Sequence, residues 1–354
     1  MTFFRYYLLL PLFLLYFWFS PFSRPRNVVS TPLVQRANAT FYLLARNSDM
    51  GGVVATIAQV EDRFNRNFNY PYVLLNDVPF DDKFKNGVRA ATNSKVEFGV
   101  ISPEHWNQPE WIDEQRATAA REKMVEAGVK YGGSVSYRNM CRFNAGFFFQ
   151  HPLMLQYRWY WRLEPDVKYH CNINFDPFLF MQEQNKTYSF TIATYELPAT
   201  IPSLWSTVTE YGRKNPAHIA QGNALKFISH NYGQTYNYCH FWSNFEIADM
   251  SFWRGDTYQA FFSHLDHAGG FYYEVCITMA SFPHLIFSCS PRTHVSSAGA
   301  TLPCTVWAAA LFLDKNQIHF FDEIGYQHDD WSHCPSNPTP QMECTCDPGN
   351  SFGA

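Results

Sequence analysis

The feature that most constrains this chain is a strand–turn–helix–strand pattern between residues 41 and 76. Residues 41–45 (FYLLA) form a short apolar run, which predicts a buried strand that ends at the polar turn 46–49. Residues 53–68 then place apolar side chains at helical spacing, and residues 70–76 (YPYVLLN) predict a second strand. This alternation is the start of an α/β sheet.

The pattern continues along the chain. Residues 95–101 and 157–163 predict strands, and the charged, alanine-rich residues 112–131 predict a helix. With 354 residues, 46% hydrophobic and only 16% charged, the chain can bury one large domain or two small ones and a targeting segment. A formal net charge of -4 without a long basic run argues against nucleic acid as a partner.

The N-terminus carries a targeting signal. Arg5 precedes an apolar run at residues 6–19, which fits either a cleaved signal peptide or a membrane anchor. Because no small-x-small cleavage site follows, the anchor is favoured. We therefore expect a cytoplasmic tail at 1–5, a transmembrane signal-anchor at 6–22, and a Pro/Ser/Arg-rich stem at 23–37.

Two further features agree with a lumenal location for the remainder. Asn38 and Asn185 each begin an N-x-Thr glycosylation triplet. None of the nine cysteines forms a C-x-x-C zinc pair, and Cys344-Thr-Cys346 is too tight for one. Disulfides are the default in an oxidising compartment. Two bridges are possible among four cysteines, whose pairing the sequence leaves open, namely Cys141, Cys171, Cys239 and Cys334.

Candidate ligand residues follow two of the predicted strands. In an α/β sheet, ligands bind beyond the carboxyl ends of the strands, which points to residues 46–49 and to Glu164-Pro165-Asp166. Two carboxylates one residue apart on a turn can face one cation, and oxygen ligands suit Mn²⁺ or Mg²⁺. An ordinary acidic turn is the alternative.

Three other residues are candidates of weaker individual specificity. Glu246 stands among large apolar residues, where a carboxylate is costly unless it is paired or functional. His328 has the side chain to complete a metal site with carboxylates, although most single histidines are not ligands. Arg46, at the end of the first strand, is placed to bind a phosphate or to form a plain salt bridge.

Long stretches of the chain resemble the fungal Golgi α-1,2-mannosyltransferase family, of the yeast killer-toxin-resistance and mannoprotein mannosyltransferase type. The resemblance covers nearly all of residues 38–335. The matching stretches are LLARNSD (43–49), VEDRFNRNFNYPYVLLND (60–77), EFGVISPEHWNQPEWID (97–113), SYRNMCRFNAGFFFQHPL (136–153), YRWYWRLEPDVKYHC (157–171), NYCHFWSNFEIADMSFWR (237–254) and KNQIHFFDEIGYQHDDWSHCP (315–335).

The resemblance implies a single lumenal catalytic domain of GT-A fold over 38–335, attached to the Golgi membrane. It implies transfer of mannose from GDP-mannose to mannosylated glycoproteins, with Mn²⁺ as cofactor and retention of the α-anomer. By position, Glu164 and His328 match metal ligands, with Asp166 as a possible third, and Glu246 matches the nucleophile or oxocarbenium stabiliser. The implied donor and sugar contacts are Arg46, Tyr137 and Glu196.

One segment departs from the family pattern. After Glu274 the family continues Arg-Trp-Gly-Asp-Ala-Pro-Val-His-Ser, whereas residues 275–306 intervene here. Our hypothesis is that 275–297 is a translated intron and 298–306 the next exon in another reading frame. Cys276, Cys289 and Cys304 would then be accidental, and the family's acid in this motif has no counterpart.

Two alternative functions therefore remain. One is a non-catalytic, sugar-binding or complex-stabilising member of the family, which the missing acid favours. The other is a transferase that uses a different nucleotide sugar. The tail at 336–354 is expected to be irregular.

Overall fold

The computed structural model describes residues 36–274, 289 and 303–351. The predicted cytoplasmic tail and anchor, the stem up to residue 35, and most of the 275–306 segment lie outside the described residues. Within the described ranges, no helix is both long and apolar enough to cross a membrane.

The main body is built on a mixed seven-stranded sheet with the order β10-β6-β9-β4-β1-β2-β3. The four strands β4-β1-β2-β3 are parallel to one another. Strand β9 runs antiparallel to both β4 and β6, and β10 is parallel to β6. The strands of this sheet are β1 (Ala39–Leu44), β2 (Tyr72–Asn76), β3 (Val96–Val100), β4 (Trp159–Leu163), β6 (Tyr188–Phe190), β9 (Glu246–Asp249) and β10 (Ile318–Phe320).

Two small antiparallel sheets complete the strands. One has the order β12-β11-β5, and the other pairs β7 with β8. Their strands are β5 (Lys168–Tyr169), β7 (Ala193–Tyr195), β8 (Cys239–Phe241), β11 (Tyr326–His328) and β12 (Trp331–His333).

Helices pack on both faces of the main sheet. They are α1 (Met50–Val60), α2 (Arg66–Phe68), α3 (Asp82–Ala90), α4 (Pro103–Trp106), α5 (Glu114–Glu126), α6 (Val135–Gly146), α7 (Pro152–Leu155), α8 (Pro177–Glu183), α9 (Leu204–Lys214), α10 (Leu225–Ile228), α11 (Met250–Arg254), α12 (Asp256–Ala268), α13 (Gly270–Tyr273) and α14 (Pro303–Phe312). A π-helical turn at Glu61–Asn65 joins α1 to α2.

The two faces of the sheet form two separate cores, because side chains alternate along each strand. Trp159, Trp161 and Leu163 of β4 belong to the core on one face. Tyr160 belongs to the core on the other face. Arg162 is two residues after Tyr160, so its side chain lies on the same second face of the sheet.

The α/β prediction from the sequence is confirmed. The expected strands at 41–45, 70–76, 95–101 and 157–163 correspond to β1, β2, β3 and β4, and the helix predicted over 112–131 is α5. The helix predicted over 53–68 is interrupted by the π-helical turn, which the spacing of apolar residues does not reveal.

The cysteines pair differently from the expectation. Cys171 bonds Cys344, Cys334 bonds Cys346, and Cys239 bonds Cys289. Cys141 is wrong as a disulfide candidate, because it is a buried thiol in helix α6. Cys344 and Cys346 of the C-x-C triplet both form disulfides. These two bridges hold the short helical turns of residues 336–351 next to β5 and β12.

Two of the cysteines expected to be accidental are described. Cys289, in the intervening segment, is bonded to Cys239 of β8. Cys304 is buried in α14, so this part of the helix packs in the domain. We had expected residues 298–306 to come from an exon read in another frame.

Candidate active site

The acidic turn after β4 is held by helix α1. The Thr56 hydroxyl donates to the Glu164 carbonyl at 2.9 Å and accepts from the Val167 amide at 3.2 Å. Asp166 adopts a left-handed conformation with φ of 63°. A Cβ added at Gly52 would lie 2.5 Å from the Asp166 carboxylate, so any larger residue at position 52 would displace that carboxylate from its present place.

Arg162, the fourth residue of β4, links two of the candidate acids. Its Nε donates to Glu164 Oε1 at 2.8 Å, and the guanidinium forms an ion pair with that carboxylate. In the ladder between β4 and β9, Arg162 is the residue directly opposite Glu246. Burial lowers the pKa of Arg162, but the charges of Glu164 and Glu246 outweigh this effect and raise it above the ordinary value. The arginine therefore remains charged between the two acids.

Glu246 is the first residue of β9 and is 1% exposed. The Tyr160 hydroxyl donates to its Oε1 at 2.7 Å, and Trp253 Nε1 donates to that hydroxyl at 3.2 Å. Among the described residues, Glu246 Oε2 has no hydrogen-bond partner, and neither has Arg162 Nη1. Burial raises the pKa of Glu246, and Arg162, Tyr160 and Tyr188 counteract that rise. The site thus contains a buried carboxylate that is close to one guanidinium and two tyrosine hydroxyls, those of Tyr160 and Tyr188.

His328 is the last residue of β11, on the small sheet that also contains β5. Tyr326 and Gln327 pair with Tyr169 and Lys168, so the next step of this register places His328 beside Val167, adjacent to the acidic turn. Its Nδ1 is 3.0 Å from the Asn244 side-chain nitrogen. The Trp242 ring stacks on the imidazole, with ring centroids 5.7 Å apart.

Arg46 and Tyr137 meet at the same edge of the sheet. Arg46 follows β1, a neighbour of β4, and its Nη2 donates to the Ser136 hydroxyl at 2.8 Å. Ser136 and Tyr137 lie in the first turn of α6, where the Ser134 side chain caps the Tyr137 amide at 3.1 Å. The Tyr137 ring is 9% exposed and stacks on Tyr131 at 5.0 Å.

Glu196 lies apart from these residues. It follows β7 in the two-stranded sheet and is completely buried. Its Oε1 accepts from the Leu197 amide at 2.8 Å, while Oε2 has no partner among the residues the structure describes. Burial raises the pKa of Glu196 to about 8.

Both predicted glycosylation acceptors are exposed, but their surroundings differ. The Asn38 amide donates to the Gln156 carbonyl at 3.0 Å, and Thr40 of the same triplet is fully buried in β1. Asn185 stands on a turn after α8 with φ of 50°. Asn185 is therefore the more accessible acceptor in the folded domain.

The structure places Arg46, Tyr137, Glu164 and Glu246 at one edge of the main sheet, and the Asn244 side chain connects His328 of the neighbouring small sheet to the turn before Glu246. Among the residues that contact them, Arg162, Tyr160 and Asn244 were not predicted. Period-two spacing in WYWRL places Tyr160 and Arg162 on the face that Glu164 continues, so an arginine inside an apolar strand was an available signal. Asn244 carries no comparable signal.

This geometry is that of a candidate ligand site with buried acids at the carboxyl edge of an α/β sheet. The comparisons with known proteins identify the class of protein. The sequence model described as glycolipid 2-alpha-mannosyltransferase matches residues 20–277 and 301–354. The chain is 45% identical over 320 residues to glycolipid 2-alpha-mannosyltransferase 2 of Candida albicans, covering 90% of this chain and 64% of that protein. It is 44% identical over 319 residues to alpha-1,2 mannosyltransferase KTR1 of Saccharomyces cerevisiae, covering 90% and 75%.

Solved structures agree with this match. The mannosyltransferase Ktr4p from S. cerevisiae in complex with GDP superposes with a TM-score of 0.80 at 36% identity, covering 90% of this chain and 78% of that one. The Mn/GDP form of core-mannan synthase A from Aspergillus fumigatus gives a TM-score of 0.79 at 34% identity, covering 90% and 81%. The chain belongs to the glycolipid 2-alpha-mannosyltransferase family.

Proposed function

We propose that this chain is a retaining α-1,2-mannosyltransferase of GT-A type that transfers mannose from GDP-mannose to mannose-terminated glycans of glycoproteins. The observation that carries the proposal is the arrangement in which Arg162 stands between Glu164 and the buried Glu246. Membership of the family and the GDP named with the Ktr4p structure support the choice of donor.

The residues of the acidic turn and β11 fit a divalent cation that is held partly by the donor. No cluster of three or more His, Cys, Asp or Glu able to hold a metal occurs within the described ranges. Divalent ions at phosphate-transfer sites are commonly bound by one or two protein groups together with substrate phosphates. Glu164 and His328 are such groups, and the Mn/GDP form of the Aspergillus relative supports Mn²⁺. A bound Mn²⁺ would offset the negative charge of the departing diphosphate.

Glu246 has the properties that retention requires. A retaining transfer needs either a carboxylate behind the anomeric carbon or attack from the face that the leaving group departs. Glu246 is buried, and Arg162, Tyr160 and Tyr188 favour the ionised form of its carboxylate. It is therefore suited to form a covalent mannosyl-enzyme or to stabilise the positive charge that develops on the sugar.

The test is transfer from GDP-mannose to methyl α-mannoside, with the product linkage and anomer determined by NMR. We expect an α-1,2-linked product, loss of activity in EDTA, and recovery on addition of Mn²⁺. Unlabelled GDP-glucose and UDP-glucose should compete poorly with labelled GDP-mannose. Activity that persists in EDTA would exclude the Glu164–His328 site, and effective competition by UDP-glucose would favour a transferase with another donor.

A non-catalytic role is the second candidate. It is favoured by the absence, in residues 275–306, of a counterpart to the acid of the family's Arg-Trp-Gly-Asp motif. In that case the purified chain should bind GDP without turnover, and Glu246→Gln should leave cell-wall glycans unchanged.

We further propose that the protein is a single-pass type II protein of the Golgi membrane. The apolar run at 6–19, the accessible Asn185 and the two disulfides outside the 275–306 segment, Cys171–Cys344 and Cys334–Cys346, support a lumenal domain with an N-terminal anchor. Glycosidase treatment should reduce the mass of the protein by one or two N-glycans, and Asn185→Gln should remove one of them. An unglycosylated, alkali-extractable protein would contradict this topology.

A further inference from the structure

The side chain of Asn244 contacts the imidazole of His328 from inside the protein. Asn244 is 4% exposed, and its amide nitrogen lies 3.0 Å from His328 Nδ1. The Tyr326 hydroxyl, two residues before the histidine, donates to the Asn244 carbonyl at 3.2 Å. Backbone and side chain of one asparagine are thus tied to the strand that ends at His328.

The orientation of the Asn244 amide decides which ring nitrogen of His328 has a lone pair. When Nδ2 donates to Nδ1, the neutral imidazole carries its proton on Nε2 and has no lone pair there. After a half-turn of the amide, Oδ1 accepts a proton from Nδ1, and the lone pair moves to Nε2. The amide has nearly the same shape in both orientations, so the exchange requires no movement of the surrounding side chains.

Reversing the Asn244 amide breaks no hydrogen bond of its side chain other than the one to His328, among the residues that the structure describes. Asn244 Oδ1 is buried and has no hydrogen-bond partner among the described residues. A cation bound at Nε2 requires the lone pair on that nitrogen and therefore favours the second orientation. Because Asn244 occupies Nδ1 in both orientations, Nε2 is the ring nitrogen left for a ligand.

We propose that Asn244 is a positioning residue for the metal ligand His328: it accepts the Nδ1 proton and thereby presents the Nε2 lone pair to the cation. Histidines that bind metals generally donate their other ring N–H to an oxygen, and loss of that oxygen weakens metal affinity about 10- to 100-fold. The proposal rests on the proposed function, in which His328 binds the metal. Since Asn244 is two residues before Glu246, one turn would position both the metal ligand and the buried acid.

The first experiment measures Mn²⁺ affinity at saturating GDP, by electron paramagnetic resonance of the free ion. Asn244→Leu should weaken binding at least tenfold, whereas Asn244→Asp, which retains an acceptor oxygen, should stay within about threefold of the wild type. Asn237→Leu is the matched control, because Asn237 makes the same type of contact with His230 at 3.2 Å. It should leave Mn²⁺ affinity unchanged.

The outcomes separate this proposal from the proposed function. If Asn244→Leu binds Mn²⁺ like the wild type while His328→Ala binds it weakly, Asn244 has no positioning role although His328 is a ligand. If His328→Ala also binds normally, the metal role of His328 is wrong and the present proposal is wrong with it.

The second experiment needs no variant and therefore does not depend on how well a variant folds. Long-range ¹⁵N–¹H NMR of the wild type with GDP and diamagnetic Mg²⁺ reports which nitrogen of His328 carries the proton. We expect the proton on Nδ1. A proton on Nε2 in that complex would overturn the proposal.

Discussion

Arg162 and Glu246 face each other across the antiparallel pairing of β4 and β9, and the same guanidinium forms an ion pair with Glu164. One buried cation therefore serves two acids of different predicted role, one in the acidic turn and one on the neighbouring strand. Since Arg162 is only 6% exposed, water contributes little to its solvation. The three charges depend on one another for stability in the folded protein.

Removing the central charge should destabilise the domain strongly. We expect Arg162→Met to lower the free energy of unfolding by about 3–5 kcal/mol, because two carboxylates would then share a site with little water. Arg162→Met should lower the free energy of unfolding by a smaller amount when it is made in the Glu246→Gln variant. Urea unfolding of the four proteins of this double-mutant cycle measures the coupling.

Arg158 offers a matched control for that cycle. It pairs with Asp249 at the other end of β9, but its side chain is 54% exposed. Arg158→Met should therefore cost less than Arg162→Met, because Asp249, although 6% exposed, still accepts hydrogen bonds from the Ser251 amide and hydroxyl. If the two arginine variants lost equal stability, the buried arrangement would have no special role.

The hydrogen bond from Tyr160 should set the acid limb of the pH–rate profile. Burial raises the pKa of Glu246, and the Tyr160 bond lowers it. If Glu246 acts as a carboxylate, kcat falls as the pH drops through that pKa. Tyr160→Phe removes a stabiliser of the ionised form, so the acid limb should move upward by about one pH unit.

The control is Glu246→Gln, in which kcat should fall by at least about 10²-fold while GDP affinity remains near that of the wild type. An acid limb of Tyr160→Phe that stays in place or moves downward would show that another group controls the profile.

The parts of the fold that depend on local pattern could be predicted from the sequence. Strands β1 and β2 are largely apolar runs, β4 is an aromatic run interrupted by Arg162, and the ligand-binding edge follows from the parallel order of β1 to β4. The position of Glu246 could not be predicted, because the Tyr160–Glu246 bond joins residues 86 positions apart and β9 is a four-residue antiparallel strand. Local spacing contains no information about such a pairing.

The contacts of His328 and the disulfide partners of the cysteines could not be predicted for the same reason. Asn244 and His328 are 84 positions apart, and Asn244 has neither charge nor unusual spacing to mark it. Cys344 and Cys346 were considered only as a zinc pair, and their disulfide partners lie 173 and 12 positions away. Position after a strand and apolar surroundings marked Glu164 and Glu246 as candidate acids, and the family resemblance implied their roles. The placement of Arg162 between the two acids became visible only in the folded sheet.

The buried Glu196 should make stability depend on pH. Its pKa is about 8 in the folded protein against an ordinary value of 4.5, so the folded state holds a proton that the unfolded chain releases between these values. Stability from this group is therefore greatest below pH 4.5 and falls as the pH rises to 8. Each tenfold change in proton affinity corresponds to about 1.4 kcal/mol. The decrease in the free energy of unfolding that Glu196 causes therefore has an upper bound of about 5 kcal/mol.

Glu196→Gln should remove this dependence, because a neutral amide loses no proton. Urea unfolding at pH 5.5 and pH 8 compares the two proteins, with Glu210→Gln as an exposed control on α9. Equal pH dependence in the wild type and Glu196→Gln would show that the carboxyl group ionises normally.

The disulfide between Cys171 and Cys344 should stabilise the sheet that carries His328. This bridge joins the tail to the chain just after β5, which pairs with β11. Cys344→Ser should lower the free energy of unfolding by about 2–4 kcal/mol, while Thr345→Ser, between the two bridged cysteines, should cost under about 1 kcal/mol. Mass spectrometry of unreduced peptides should recover the 171–344 pair, and a Cys171–Cys141 peptide would refute this pairing.

The segment after Glu274 predicts a difference between this sequence and the cellular transcript. The family match stops at residue 277 and resumes at 301, which brackets most of the proposed intron at 275–297. We expect messenger RNA sequenced across codons 270–312 to lack those codons and to encode Glu-Arg-Trp-Gly-Asp-Ala-Pro-Val-His. Cys239 would then lose its partner Cys289, so peptides of the native protein should contain no 239–289 disulfide. A transcript that reads as printed, together with that disulfide, would instead favour the non-catalytic role, because the family's acid would be absent from the sugar site.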